Sequence, residues 1–85
     1  MQHALNSRTE KAIRNELQQT GRRIAAICEE IDSLRADCYL YRHKGDVCNL
    51  VETDDKIQWK IGKLMNAINR RNKLGSELSK YIKEG

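Results

Sequence analysis

Apolar residues recur at alternating intervals of four and three positions through most of this chain. The first such series contains Ile13, Leu17, Thr20, Ile24, Ile27, Ile31, Leu34, Cys38 and Tyr41. A second series contains Val47, Leu50, Ile57, Ile61, Leu64, Ile68, Leu78 and Ile82. This spacing places each series along one face of an α-helix and is typical of helices that pack side by side as a coiled coil. Proline, which would break such a helix, is absent from the 85 residues.

The segment HKGD, residues 43–46, separates the two series. Glycine readily adopts the left-handed conformation that ends many helices, and an aspartate can accept a hydrogen bond from the first turn of the next helix. Upstream, Ser7 and Glu10 have the spacing of a capping box, which predicts a helix start near Arg8. We therefore expect helix one over about 8–43, a turn at about 44–46 and helix two over about 47–83.

A turn this short forces the two helices to run antiparallel. In that register Ile31 lies near Ile57 and Leu17 near Ile68, so the two apolar faces meet. Each helix of about 36 residues would extend on the order of 54 Å. The expected fold is all-α: an antiparallel two-helix hairpin, coiled-coil-like, that forms a single rod-shaped domain over residues 1–85.

Two features of the second series allow other arrangements. Thr53-Asp54-Asp55 is a good helix start, and a break there would leave residues 44–52 as a loop or a short separate turn. The apolar face is also interrupted by Asp54, Arg71 and Gly75. These residues either fix the register of the hairpin, or they mark where the C-terminal turns fray or leave helix one as a separate docking segment.

In a hairpin of two helices the apolar residues meet along one narrow line of contact, which we call the seam. A chain of this length buries little apolar surface on its own. Natural hairpins of this size often gain a larger core by pairing into a four-helix bundle. The residues suited to such a second contact are Ala25, Cys28, Val51, Met65, Ala67 and Leu74. We therefore expect a homodimer.

The stretch 56–73, KIQWKIGKLMNAINRRNK, carries six basic side chains, no acidic one and the only tryptophan of the chain. At about 100° per residue, Trp59 lies opposite the apolar face of helix two and among the bases. Three acidic residues of helix one lie near Lys56 and Lys60: Glu29, Glu30 and Asp32. Beyond them Glu16 is the nearest acid, so we expect unpaired bases over the middle of the rod and over its open end, opposite the turn.

This layout predicts a binding protein. The leading interpretation is a non-enzymatic helical adaptor or inhibitor that binds another protein through an exposed basic helix face. The alternative is a small nucleic-acid-binding regulator of RNA or DNA, which acts as a helical-hairpin dimer and stacks Trp59 on an exposed base. A tryptophan away from the aliphatic face does not favour a membrane-surface helix or a calmodulin target. The residues expected to contact the partner are Arg22, Arg23, Trp59, Lys63, Arg70, Arg71 and Lys73.

Residues that support catalysis or bind metals are scattered. His3 and His43 are predicted to lie on the order of 50 Å apart along helix one. Cys38, His43 and Cys48 lie near the turn, but they lack the paired ligand spacing typical of zinc sites. We therefore expect no enzymatic activity, no cofactor and no metal.

Cys38 and Cys48 face each other beside the turn in the expected register, either as a disulfide or as two small buried thiols. The odd number of three cysteines favours reduced thiols.

No apolar stretch approaches the ~20 residues that span a bilayer, and residues 1–11 lack the apolar segment of a secretory signal. The sequence thus predicts a cytoplasmic protein that does not contact membranes.

Overall fold

A computed structural model describes residues 9–84, with side chains up to Tyr81. Over these residues the chain forms two helices, α1 over Glu10–Lys44 and α2 over Val47–Glu84, which pack against each other along their length. The molecule is a rod of 63 × 17 × 16 Å. The expected all-α antiparallel hairpin is therefore confirmed.

The first helix begins slightly later than the expected start at Arg8. Thr9 is its N-cap, and the Thr9 Oγ1 accepts a hydrogen bond of 3.1 Å from the amide of Ala12. Glu10 is the first helical residue, and its carboxylate accepts a hydrogen bond of 2.9 Å from the Nε of Arg14. The Ser7 half of the predicted capping box lies outside the described residues.

The turn has the two features that the sequence predicts. Gly45 adopts φ 73° and ψ 21°, the left-handed conformation that costs glycine nothing sterically. Its amide donates to the carbonyl of Arg42, and the amide of Asp46 donates to the carbonyl of Tyr41, which together form a Schellman motif. Asp46 also caps α2, because its Oδ1 accepts a hydrogen bond of 3.3 Å from the amide of Asn49. Both predicted caps are thus confirmed.

All nine residues of the first apolar series face α2. Ile13, Ile27 and Ile31 are buried, and the other six are partly buried. The helical register of α1 is therefore the predicted one. Its central isoleucines pack with Ile57 and Ala67 of α2 in a hydrophobic core cluster.

The second series is partly wrong. A strict alternation of three and four residues from Leu50 passes through positions that the apolar pattern had not included. Of these, Thr53, Ala67 and Leu74 are buried, and Leu74 is completely inaccessible. Val47 is 65% exposed, because it falls beside this alternation and not on it. The alternation gives the seam positions of α2, of which all but the exposed Arg71 are buried or partly buried: Leu50, Thr53, Ile57, Lys60, Leu64, Ala67, Arg71, Leu74, Leu78 and Tyr81. Ile61, at the edge of the seam, also packs against the core.

The continuity of α2 decides between the alternatives that the sequence left open. The second helix is continuous through Thr53 and through Gly75, so neither the break at residues 53–55 nor a separate C-terminal segment forms before Glu84. Near the open end of the rod, Ile13 and Leu74 are almost completely buried, so the two helices remain packed there. Ala67 and Leu74 are consequently unavailable to a second copy, contrary to their predicted place on the outer flank.

Neither helix, over the residues that the structure describes, has an apolar stretch long enough to cross a lipid bilayer.

Candidate functional site

A groove crosses the middle of the rod on one flank of the seam. Arg23, Lys63 and Arg70 each come one position before a seam residue, so helical rotation directs all three to this flank. The groove has a volume of about 440 Å³ and draws residues from both helices. We name it the basic groove, lined by Thr20, Arg23, Lys63, Asn66, Ala67 and Arg70.

One cation of the basic groove is paired with a carboxylate. The Nη2 of Arg70 donates to Glu16 of α1 over 2.6 Å. This contact corrects the expectation that bases beyond Lys60 lack acidic partners across the seam. Both side chains stay at least one third exposed, so water and salt screen the pair and it adds less than about 1 kcal/mol to stability.

Trp59 lies beside the basic groove and points to solvent, as the sequence predicts. Its indole is 60% exposed. The Nζ of Lys63 lies 3.9 Å from the centre of the indole, close enough for a cation–π contact, and the Nζ of Lys60 lies 5.5 Å away. Lys60 also donates a hydrogen bond of 3.0 Å to Glu30, which is the one predicted cross-seam ion pair of this region that forms. Lys63 therefore connects the indole to the groove.

The remaining predicted contact residues lie elsewhere. Arg22, Arg71 and Lys73 are all exposed, but none of them lines the basic groove. Of the seven predicted residues, the structure thus brings together Arg23, Trp59, Lys63 and Arg70. Sequence reasoning missed Thr20, Asn66 and Ala67 in the groove wall. Their signal was present in the heptad pattern, since Thr20 is a seam residue of α1 and Asn66 comes directly before the seam residue Ala67.

A second groove opens on the opposite flank, near the turn. It has a volume of about 710 Å³. Arg35, Arg42 and Asp54 each come one position after a seam residue, and this places them on the flank away from Arg23. Tyr39 and Val51 at its walls are 61% and 54% exposed. We name this the turn-end groove; the sequence pattern did not single it out.

The cysteines and the histidine near the turn are not joined by disulfide bonds or grouped as a metal site in the described part of the chain. Cys28, Cys38 and Cys48 are free thiols, and Cys48 is exposed, so the predicted pair of buried thiols is wrong for that residue. His43 makes an edge-on ring contact with Tyr39, with the ring centroids 4.5 Å apart. Among the side chains of residues 9–81, no group of three or more acidic, histidine or cysteine residues is arranged to hold a metal ion.

Comparison with known proteins gives no match: no family model fits the chain, and no curated protein and no solved structure is significantly similar to it.

Proposed function

We propose that the protein acts without catalysing a reaction, as a helical adaptor or inhibitor that binds an acidic segment of a partner protein in the basic groove. The convergence of Arg23, Lys63 and Arg70 from two helices on one cleft carries this proposal. Cations held on rigid helices form charge-assisted hydrogen bonds with carboxylates at a low cost in ordering. Neither helix alone could present all three side chains, because Arg23 belongs to α1 and the other two belong to α2.

Trp59 supplies an apolar contact next to these charges. Tryptophan and arginine are the residues that most often dominate the binding energy of protein interfaces. Because the indole is 60% exposed and contacts Lys63, a partner that places a carboxylate near Lys63 can pack an aliphatic or aromatic side chain on the ring. The preferred partner segment is therefore acidic with one large apolar residue.

Acidic residues on the same flank favour a protein over a nucleic acid. Glu16 and Glu30 stand on either side of the groove, at Arg70 and at Lys60. A nucleic acid carries a phosphate at every nucleotide, so a strand laid along this flank would meet these two carboxylates. The exposed indole with a lysine on its face supports the alternative, in which Trp59 stacks on a base of single-stranded RNA or DNA.

The test compares labelled ligands of similar length: an acidic peptide with one leucine, a single-stranded RNA and a DNA duplex, each at about 50 and about 200 mM salt. The double variant Arg23→Ala/Lys63→Ala removes two groove cations. We expect it to weaken peptide binding at least about tenfold, because each lost ion pair contributes roughly 0.7 kcal/mol or more.

The matched control is Arg22→Ala/Lys73→Ala, which removes the same charge from exposed positions outside the groove. It should weaken binding less than about threefold. Equal losses in the two variants would reduce the effect to net charge and contradict a site at the groove. Tighter and more salt-sensitive binding of RNA or DNA than of the peptide would support the alternative.

A further inference from the structure

The flank opposite the basic groove is unusually apolar for the surface of a two-helix rod. Six large apolar side chains are prominently exposed in residues 9–81, the part of the chain whose side chains the structure describes. Four of them lie on this flank by their heptad positions: Tyr39, Val47, Val51 and Met65. Ile61 and Ile68 lie there too and are only partly buried by the hairpin. We name this flank, including the turn-end groove, the apolar side. Its size and continuity set it apart from isolated exposed residues.

We infer that a second copy of the chain covers the apolar side. The two hairpins would be related by a two-fold axis parallel to the rod, so that α1 of each copy packs against α2 of the other. All neighbouring helices in the resulting four-helix bundle run antiparallel, and both turns lie at the same end. This inference does not depend on the proposed function, because the basic groove faces away from the contact.

Charge complementarity supports this arrangement. Arg35 of α1 and Asp54 of α2 line the turn-end groove from opposite walls. Neither side chain forms an ion pair within the described part of the chain. A two-fold axis along the rod places Arg35 of each copy at the same level as Asp54 of the other. The groove is therefore self-complementary, as a two-fold interface requires.

The sizes of the side chains on the apolar side also favour a two-fold axis parallel to the rod. On this side α1 presents Gly21, Ala25 and Cys28, all small and exposed, whereas α2 presents larger residues at the same levels: Ile68, Met65 and Ile61. The axis along the rod sets the small residues of one copy against the large residues of the other. An axis perpendicular to the rod would set small against small and leave voids, which close-packed interfaces avoid.

The available area is also sufficient. One side of a rod 63 Å long and 17 Å wide offers roughly 1,000 Å², compared with about 800 Å² per partner in a standard stable interface. A small hairpin gains more from this burial than a larger domain does, because its own core is thin. We expect association at micromolar protein concentrations.

The experiment uses charge reversal in two separate variants, Arg35→Glu and Asp54→Arg, followed by sedimentation analysis. Each variant alone places like charges across the proposed contact twice. Each should dissociate at least about tenfold more readily than the native protein. An equimolar mixture should associate, because Glu at position 35 then faces Arg at position 54, and the native Arg35 faces the native Asp54.

Circular dichroism of each variant checks that the hairpin still folds. Both positions are exposed, so the helix content should match that of the native chain. A native protein that stays monomeric up to about 100 µM would overturn the inference, since it would bind its copy more weakly than −5.5 kcal/mol or so. Variants that associate like the native chain, or a mixture that does not recover association, would overturn the proposed axis.

A cross-linking measurement covers the case in which charge reversal disturbs folding. In a chain with Cys28, Cys38 and Cys48 replaced by serine, Ala25→Cys and Met65→Cys are introduced together. Oxidation should give a covalent dimer, because residue 25 of one copy lies against residue 65 of the other. Neither single-cysteine variant should cross-link with itself. A dimer formed by Ala25→Cys alone would indicate the perpendicular axis and contradict the inference.

Discussion

The two sides of this hairpin share one seam and differ in what flanks it. On the basic side, the positions before the seam residues carry charges that pair across the seam, such as Glu16 with Arg70. On the apolar side, the positions after the seam residues of α2 include Ile61 and Ile68. A charged flank is typical of the edge of a two-stranded coiled coil, whereas an apolar flank widens the stripe to that of a bundle helix. The hairpin is therefore built asymmetrically.

This asymmetry separates two tasks that compete in a two-helix rod. A wide apolar stripe favours association, and a dense row of cations opposes it by repulsion unless an anion is bound. Here the basic groove and Trp59 lie on one side while Tyr39, Val51 and Met65 lie on the other. One side can thus be covered by a second copy without occupying the other.

The largest expected effect is the difference in stability lost when a buried seam residue and an exposed residue of the apolar side are each truncated to alanine. Leu74 is fully buried in the seam, so Leu74→Ala should lower the free energy of unfolding by about 2–5 kcal/mol. Met65 is 54% exposed, and Met65→Ala should cost less than about 0.5 kcal/mol in a dilute, monomeric sample. Urea denaturation followed by circular dichroism measures both.

Repeating this denaturation at high protein concentration sharpens the comparison. Binding of a second copy adds to apparent stability, so the cost of Met65→Ala should grow with concentration if the apolar side is covered. The cost of Leu74→Ala at low concentration should stay large. Equal, mild losses at low concentration would mean that Leu74 does not belong to the seam.

Two exposed helical glycines provide a smaller effect with a matched control. An added Cβ meets no atom within 4 Å at Gly21 or at Gly62. In a monomer, Gly21→Ala and Gly62→Ala should therefore each raise the free energy of unfolding by up to about 1 kcal/mol through helix propensity. Gly21 lies on the apolar side, and Gly62 faces outward from α2.

In the proposed dimer, the new methyl group at position 21 meets Ile68 of the second copy. Gly21→Ala should then weaken association while Gly62→Ala leaves it unchanged, as measured by sedimentation. The same dissociation constant for both variants would argue that the apolar side remains open to solvent.

The hairpin itself was predictable because local chemistry determines it. Gly45 and Asp46 specify a helix end followed at once by a helix start, and the regular series of α1 specifies one buried face. These signals depend on residues close in sequence. The register of α1 against α2 followed from the shortness of the turn.

The details of α2 were not predictable from apolarity alone. Thr53 and Ala67 are buried because the heptad geometry places them in the seam, although neither is a large apolar residue. Conversely, Val47 is apolar but exposed. The groove cations were only partly identified for the same reason, since net charge along residues 56–73 cannot tell Lys63, which faces the groove, from Lys73, which does not.

A modest effect is expected from Glu16, the carboxylate that pairs with Arg70. Glu16→Gln should lower the free energy of unfolding by about 0.2–1 kcal/mol, because the pair is largely exposed. The same change frees Arg70 for a ligand, so binding of the acidic peptide should tighten a few-fold. Fluorescence anisotropy of the labelled peptide measures this gain.

Glu10→Gln serves as its control. It also breaks an exposed ion pair, with Arg14, but away from the basic groove. This variant changes the net charge by the same amount as Glu16→Gln. It should leave peptide affinity within about twofold of the native value. An identical gain from both variants would show that overall charge, and not Arg70, governs binding.

The smallest expected effect concerns Trp59, whose fluorescence emission should stay the same when dimers form. Its indole is on the basic side, so its emission should be that of a water-exposed ring at every protein concentration, even where sedimentation detects dimers. Because Lys63 and Lys60 lie close to the ring, anionic iodide should quench it more strongly than cationic caesium, and Lys63→Gln should reduce that preference more than Lys73→Gln. A blue shift that accompanies dimer formation would place the second copy over Trp59, which would reverse the assignment of the two sides.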